Sequence, residues 1–167
     1  MADILHLLKI HAQREAVYRA IATAEGVRNW FSRDSDLDPG VGGHGEIRFA
    51  DGTRVTRLRI AEIEPTTRVV WQVLSAPMPT WPGTTIGFGM DAEGDDTMLH
   101  FAHRGFTQAD DFLAMSATAW ACFLLSLKQY LETGKGTPHP DDVLSRVPLQ
   151  KPGPGTPTEH PPTRIEA

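Results

Sequence analysis

The stretch from Thr97 to Gly134, TMLHFAHRGFTQADDFLAMSATAWACFLLSLKQYLETG, decides the fold. Thr97 to His103 alternates, with Leu99, Phe101 and His103 on one face of a strand and Met98, His100 and Ala102 on the other. After a turn at Arg104-Gly105-Phe106 the period changes. From about Gln108 to Thr133, apolar residues recur at helical spacing in two rows. One row is Phe112, Met115, Ala119, Phe123, Leu127 and Tyr130; the other is Leu113, Trp120, Leu124 and Leu131. Such a helix is roughly 40 Å long at 1.5 Å per residue. With more than one apolar row it needs a broad sheet to lie across, and the space between them is either a filled core or a cavity.

Upstream, residues 3–11 read as a strand, and Gln13 to Ala22 places Ala16, Val17, Ala20 and Ile21 on one helical face. Thr23 is a capping residue for a second short helix through Val27, Trp30 and Phe31. The Asp- and Gly-rich stretch Asp34 to Gly45 predicts a loop. Asp51-Gly52, between Glu46–Ala50 and Arg54–Ile63, is a hairpin signal. Glu64 to Thr67 turns the chain into Arg68–Leu74, with Val69, Trp71 and Val73 on one side. Pro77, Pro79 and Pro82 stiffen the following loop, which carries Met78 and Trp81. Thr84 to Asp91 is the clearest strand: Ile86, Phe88 and Met90 face inward, and Gly87 and Gly89 leave the outer face bare. Consecutive strands joined locally predict an antiparallel sheet. The expected fold is α+β, a curved antiparallel sheet wrapped around a long C-terminal helix, with two short helices after the first strand.

The chain has 167 residues, 40% of them hydrophobic, enough for one globular domain. A net charge of −5 and the lack of any dense Lys/Arg cluster argue against nucleic acid as a partner. The single cysteine, Cys122, sits among apolar residues and reads as an inert thiol. No apolar run approaches the length of a membrane span, and the N-terminus lacks a secretory leader pattern, so a cytoplasmic location is expected. Composition changes after Gly134. Residues 137–167 hold 8 prolines and no aromatic residue, which sets the domain at 1–136 and predicts an extended Pro-rich tail at 137–167. Only Val143, Leu144, Val147 and Leu149 offer it apolar anchors, with a short turn started by Asp141 or Asp142.

Several short signatures recur in a fixed order: Lys9-Ile10 with Val17 to Ile21, Gly26 with Trp30-Phe31, and Ile63-Glu64-Pro65 with Val70-Trp71. They continue with Gly83-Thr84-Thr85, Thr97 to Leu99, His103 to Phe106 with Trp120, and Leu127 to Gly134. Together they resemble the SRPBCC (START-like, helix-grip) superfamily, in the branch similar to the C-terminal domain of the activator of the heat-shock protein 90 ATPase. Ser32 replaces the Thr that the resemblance implies after Trp-Phe. The resemblance implies a scaffold that carries many ligands on few fixed catalytic residues.

Dedicated chemistry is sparse in the residues themselves. His100 and His103 are three apart on a strand, so they point to opposite faces and share no ion. The other histidines have no ligand spacing to Cys or to one another. Asp34, Asp36 and Asp38 alternate as in a calcium loop, but Pro39-Gly40 and Gly45 stand where the loop's glycine and glutamate belong. No Gly-x-Ser-x-Gly elbow occurs. What remains is an aromatic and sulfur-bearing set converging between sheet and helix: Trp30, Phe31, Phe49, Trp71, Trp81, Phe88, Met90, Phe101, Met115, Trp120 and Phe123, with His103 and the small Ala119. The expected lining residues are these without Phe49. This set is either a packed core or the lining of a cavity for a small hydrophobic or amphipathic molecule, with His103, Arg57 and Arg59 as candidate polar groups. No metal or cofactor is expected. Two alternatives stand beside ligand binding. One, which the resemblance implies, is a co-chaperone-like protein-interaction module in which the domain or its tail docks another protein, with a homodimer or a protein partner as the assembly. The other is an enzyme of the cyclase, dehydratase or hydrolase kind using a cavity histidine.

Overall fold

In a computed structural model describing residues 1–145, ten elements follow in order. They are β1 (Ala2–Ile10), α1 (Arg14–Ala22), α2 (Ala24–Trp30), β2 (Ser35–Leu37), β3 (His44–Phe49), β4 (Arg54–Glu64), β5 (Arg68–Ser75), β6 (Thr85–Glu93), β7 (Asp96–Phe106) and α3 (Asp111–Thr133). The strands form one antiparallel sheet in the order β1-β7-β6-β5-β4-β3-β2. The first and last long strands are therefore neighbours, and β2 closes the far edge. Bulges in the β4–β5 pairing, at Arg57/Leu58 and Ile60/Glu62, bend the sheet around the helices. This is the α+β helix-grip architecture expected from the sequence.

Period-2 alternation fixes the faces. Ile86, Phe88 and Met90 on β6 and Leu99, Phe101 and His103 on β7 are buried, while Thr85, Gly87 and Gly89 lie on the outer side. The β3–β4 hairpin turns through Ala50, Asp51 and Gly52, all with positive φ. Thr23 caps α2, its hydroxyl accepting from the Gly26 N–H at 3.0 Å. Gly26 is required for packing: a Cβ there would stand 2.5 Å from the Ala20 backbone, so only glycine lets α1 and α2 approach this closely. The Trp30 indole then donates to the Ala20 carbonyl at 2.8 Å, fixing the end of α2 and the position of Phe31.

Several expectations are corrected. Asp34–Gly45 is not all loop: Ser35 and Leu37 point inward and pair with Ile47 and Gly45 as the edge strand β2. The Asp- and Gly-rich composition masked a three-residue alternation. The long helix starts at Asp111, because Asp110 caps it by accepting from the Leu113 N–H at 3.0 Å; that bond holds the Asp110 carboxyl below its ordinary pKa.

The face of α3 is also rotated from the expected one. Its buried stripe runs through Ser116, Trp120, Phe123, Leu124, Ser126 and Leu127. Phe112 and Met115 swing outward, 41% and 59% exposed. The two serines explain the shift. Ser116 and Ser126 are buried polar anchors, and a reading of apolar periodicity passes over them. By length and composition α3 is the one helix among the described residues apolar enough to cross a membrane. Here its central stripe is instead packed against the sheet.

The start of the segment expected as an extended tail from residue 137 is anchored by other groups than the apolar ones named for it. Residues 136–145 run back along the domain. Gly136 lies so close to α2 that a Cβ would stand 2.4 Å from the Asn29 carbonyl. The Thr137 N–H donates to the Ser126 hydroxyl at 2.8 Å. His139 adds a β-bridge beside Ser32, with its N–H donating to the Phe31 carbonyl at 2.9 Å and its carbonyl accepting from the Arg33 N–H at 3.1 Å. Arg33 also pairs with Asp141. The turn expected at Asp142 is present, its carboxylate accepting from the Leu144 and Ser145 N–H groups. Anchoring is polar: Val143 and Leu144 are 60% and 44% exposed. Val147, Leu149 and the rest of the Pro-rich stretch lie outside the described residues.

Candidate functional site

A cavity of about 320 Å³ opens between α3 and the rim of the sheet. Ala119, Trp120 and Phe123 form its helical wall, and Phe31 at the end of α2 closes the inner end. Phe49, Ala50, Arg54 and Thr56 come from the β3–β4 hairpin; Pro77, Met78 and Trp81 come from the Pro-rich loop. His139, Asp142, Leu144 and Ser145 of the C-terminal segment complete it. The aromatic wall is continuous. Phe31 lies 5.2 Å from Trp120 and 4.9 Å from Phe123, and Phe49 lies 6.1 Å from Phe123, between ring centroids.

Of the residues expected to line a cavity, Phe31, Trp81, Ala119, Trp120 and Phe123 do so. Trp30, Trp71, Phe88, Met90, Phe101 and His103 are instead packed core, each at most 2% exposed. Met115 is on the open side of α3 and borders neither. The filled-core and cavity readings of the aromatic set thus each hold for part of it. Of the candidate polar groups, His103 is buried in the core, and the two arginines face solvent, the orientation the residues themselves favoured over a place at the cavity. Arg57 pairs with Glu46 and Arg59 with Gln72 on the outer side of the sheet. Arg54, Thr56 and His139 stand at the cavity instead. The hairpin alternation that placed Phe49 inward could have flagged Thr56; nothing local in the sequence announces His139, whose role comes from chain reversal after α3.

His103 is a structural residue. Trp120 donates its indole N–H to His103 Nδ1 at 3.0 Å, and His103 Nε2 lies 2.7 Å from the Thr84 hydroxyl. Thr84 in turn donates to the Trp81 carbonyl at 2.5 Å. These roles require a neutral ring with its proton on Nε2. Burial pushes the His103 pKa down to about 3. The same network holds the Pro-rich loop against the helix: the Trp81 indole donates to Ser116 at 2.8 Å and stacks on Trp120 at 5.8 Å.

A pH effect follows. Below about pH 6.5 the unfolded chain takes up a proton at this position, and the folded chain refuses it until about pH 3. The His103 contribution is therefore complete above pH 6.5 and is lost as pH falls toward 3. Between pH 7 and pH 5 the loss is about 2 kcal/mol. Urea titrations at the two pH values should show a fall in stability smaller by about that amount in His103→Gln than in the wild type. Identical pH dependence in both would contradict the buried neutral histidine.

His139 has a similar full set of partners. Its Nε2 accepts from the Ala50 N–H at 3.1 Å, while Nδ1 faces Asp142 at 3.1 Å and Ser145 at 2.9 Å. Ser, His and Asp meet here, yet both side chains address the same nitrogen and a backbone donor occupies the other. A relay from nucleophile through base to acid needs the two nitrogens to serve different partners. Asp34 and Asp36 are engaged by Arg48, each at 2.9 Å, and Arg28 adds a contact to Asp36 at 3.1 Å. The Arg48 hydrogen bond holds the Asp36 carboxyl below its usual range. Among the described residues no group of three His, Cys, Asp or Glu is placed to hold a metal ion.

The long helix gripped by a curved antiparallel sheet, with an apolar cavity at their open end, defines a START-like, helix-grip domain of the SRPBCC class. The sequence of residues 11–132 matches the family model "Activator of Hsp90 ATPase homolog 1-like protein", and the chain belongs to that family. It is similar in structure to the Aha1 dimer from Colwellia psychrerythraea, at 35% identity and a TM-score of 0.71, covering 81% of this chain and 100% of that one. Protein MLL2253 from Mesorhizobium loti is 20% identical with a TM-score of 0.69, covering 78% and 96% of the two chains. CalU16 from Micromonospora echinospora is 20% identical with a TM-score of 0.64, covering 77% and 73%. The last two similarities concern the fold alone. No curated protein matches the sequence.

Proposed function

We propose that the protein binds a compact amphipathic molecule in the cavity between α3, the β3–β4 hairpin and the Pro-rich loop. The observation that carries this reading is the aromatic-lined opening of about 320 Å³ at the edge of a single buried hydrophobic core. The volume is near the lower end of small-molecule sites, about 300–1,000 Å³. It suits a ring system or short chain better than a full-length lipid. Arg54 is the cationic group at the cavity and suits an anionic or polar head. The apolar body would lie against Phe31, Phe49, Trp120 and Phe123.

Native mass spectrometry of freshly purified protein, followed by solvent extraction, tests the reading. A bound species of a few hundred daltons is expected, released on denaturation and missing from Ala119→Trp, in which the added ring occupies the space. A bound species retained by that variant would put the ligand elsewhere.

A second reading, self-association, is supported by the dimeric state of the Colwellia protein, which is 35% identical to this chain.

A further inference from the structure

We infer that the outer face of β1, β7, β6 and β5 is the surface through which two copies of this chain associate; this rests on the self-association reading above. The outer side of an antiparallel sheet ordinarily carries polar residues. The β3–β4 part does so, with Glu46, Arg48 and Arg57 bonded to one another. The other half mixes apolar and glycine positions with its charged ones. Strand register places Leu5, Ala102, Gly87 and Val70 side by side in one row across four strands. The next row is Leu7, His100, Gly89 and Arg68. Leu5 and Leu7 are 63% and 62% exposed, and they wall a groove of about 480 Å³ floored by the two glycines.

Those glycines have no internal reason to be glycine. Neither has a positive φ. A Cβ at Gly87 would come no closer than 3.8 Å to any neighbour, and one at Gly89 no closer than 3.7 Å, both ordinary contacts. Glycine weakens a strand interior and otherwise marks a place where another chain or ligand approaches closely. A second copy fits the space because protrusion and recess lie on the same face, two strands apart, about 10 Å. A twofold axis through such a face sets each copy's leucines over the other's glycines, which is what a self-complementary interface requires. Charges of both signs border it, Arg104 beside Asp3 and Arg68 beside Glu62, so the copies meet without a single-sign repulsion. Four strands of about nine residues cover about 550 Å² per copy, or about 1,100 Å² in total, just above what a specific interface needs.

Sedimentation of the full chain at its highest soluble concentration tests this. The wild type should sediment at twice the 18.4 kDa chain mass. Gly87→Val and the double variant Leu5→Glu/Leu7→Glu should both sediment as monomers. Gly87→Val should also keep or raise the thermal midpoint, because the β-branched side chain suits the strand and fills only the groove. A monomeric wild type would end both self-association and this surface. A dimer unchanged in both variants, or one dissolved only by Met115→Glu on the open side of α3, would overturn this surface while leaving self-association standing.

Discussion

Trp120→Ala is expected to be the most damaging single substitution in the domain. The ring is 1% exposed and packs 4.6 Å from Phe101, 5.2 Å from Phe31 and in a parallel stack with Trp81. Truncating a buried tryptophan costs about 3–5 kcal/mol in lost packing and residual cavity. Here a second cost adds to it. His103 Nδ1, buried in the intact domain, loses its donor, a cost of up to about 1–3 kcal/mol. The sum approaches the whole stability of an ordinary domain, about 5–15 kcal/mol. Trp120→Phe separates the two contributions, since it keeps most of the ring volume and removes only the donor. Its midpoint in urea should fall by the equivalent of about 1–3 kcal/mol at unchanged slope. Wild-type stability in Trp120→Phe would show that the His103 bond contributes nothing.

Phe88→Ala should cost about 3–5 kcal/mol, the full value for a phenylalanine in a filled core. The side chain is 1% exposed and meets Trp30, Trp71 and Phe101 in edge-to-face contacts at 6.3, 4.9 and 5.4 Å. It lies between α1, α2 and the centre of the sheet, well inside the cavity's end wall. A loss well below that range, measured by thermal or urea unfolding, would mean that the cavity extends inward past Phe101.

The contrast between these sites and the open end of the grip shows what the sequence carries legibly. Strand faces were readable because a period of two leaves no freedom once Ile86, Phe88 and Met90 are recognised as apolar. The hairpin at Asp51-Gly52 and the Thr23 cap were readable because local backbone chemistry determines them. The face of α3 was less so. Two adjacent apolar rows compete over a 3.6-residue period, and the decision between them rests on Ser116 and Ser126, whose burial is set by distant partners Trp81 and Thr137.

The candidate site was half legible for the same reason. Its helical wall of Ala119, Trp120 and Phe123 follows from periodicity, Phe31 from the end of the short second helix, and Trp81 from the stiff Pro-rich loop. The wall made by His139 to Ser145 does not, because it depends on where a Pro-rich segment returns after the helix ends. Composition suggested an extended tail whose only anchors were Val143, Leu144, Val147 and Leu149. Hydrogen bonds between His139 and Phe31, Arg33 and Ala50 give it a fixed place on the domain.

Titration of the wild type and Ala119→Trp with an apolar fluorescent probe addresses ligand binding in the cavity most directly, with thermal unfolding measured on both. Ala119 is half-buried and faces the cavity, so an added indole enters existing space. The expected result is probe binding to the wild type at micromolar affinity or better, about −8 kcal/mol, loss of that binding in the variant, and a nearly unchanged thermal midpoint. Absence of binding to the wild type, together with destabilisation of the variant by the roughly 1–3 kcal/mol of an overpacked core, would contradict it.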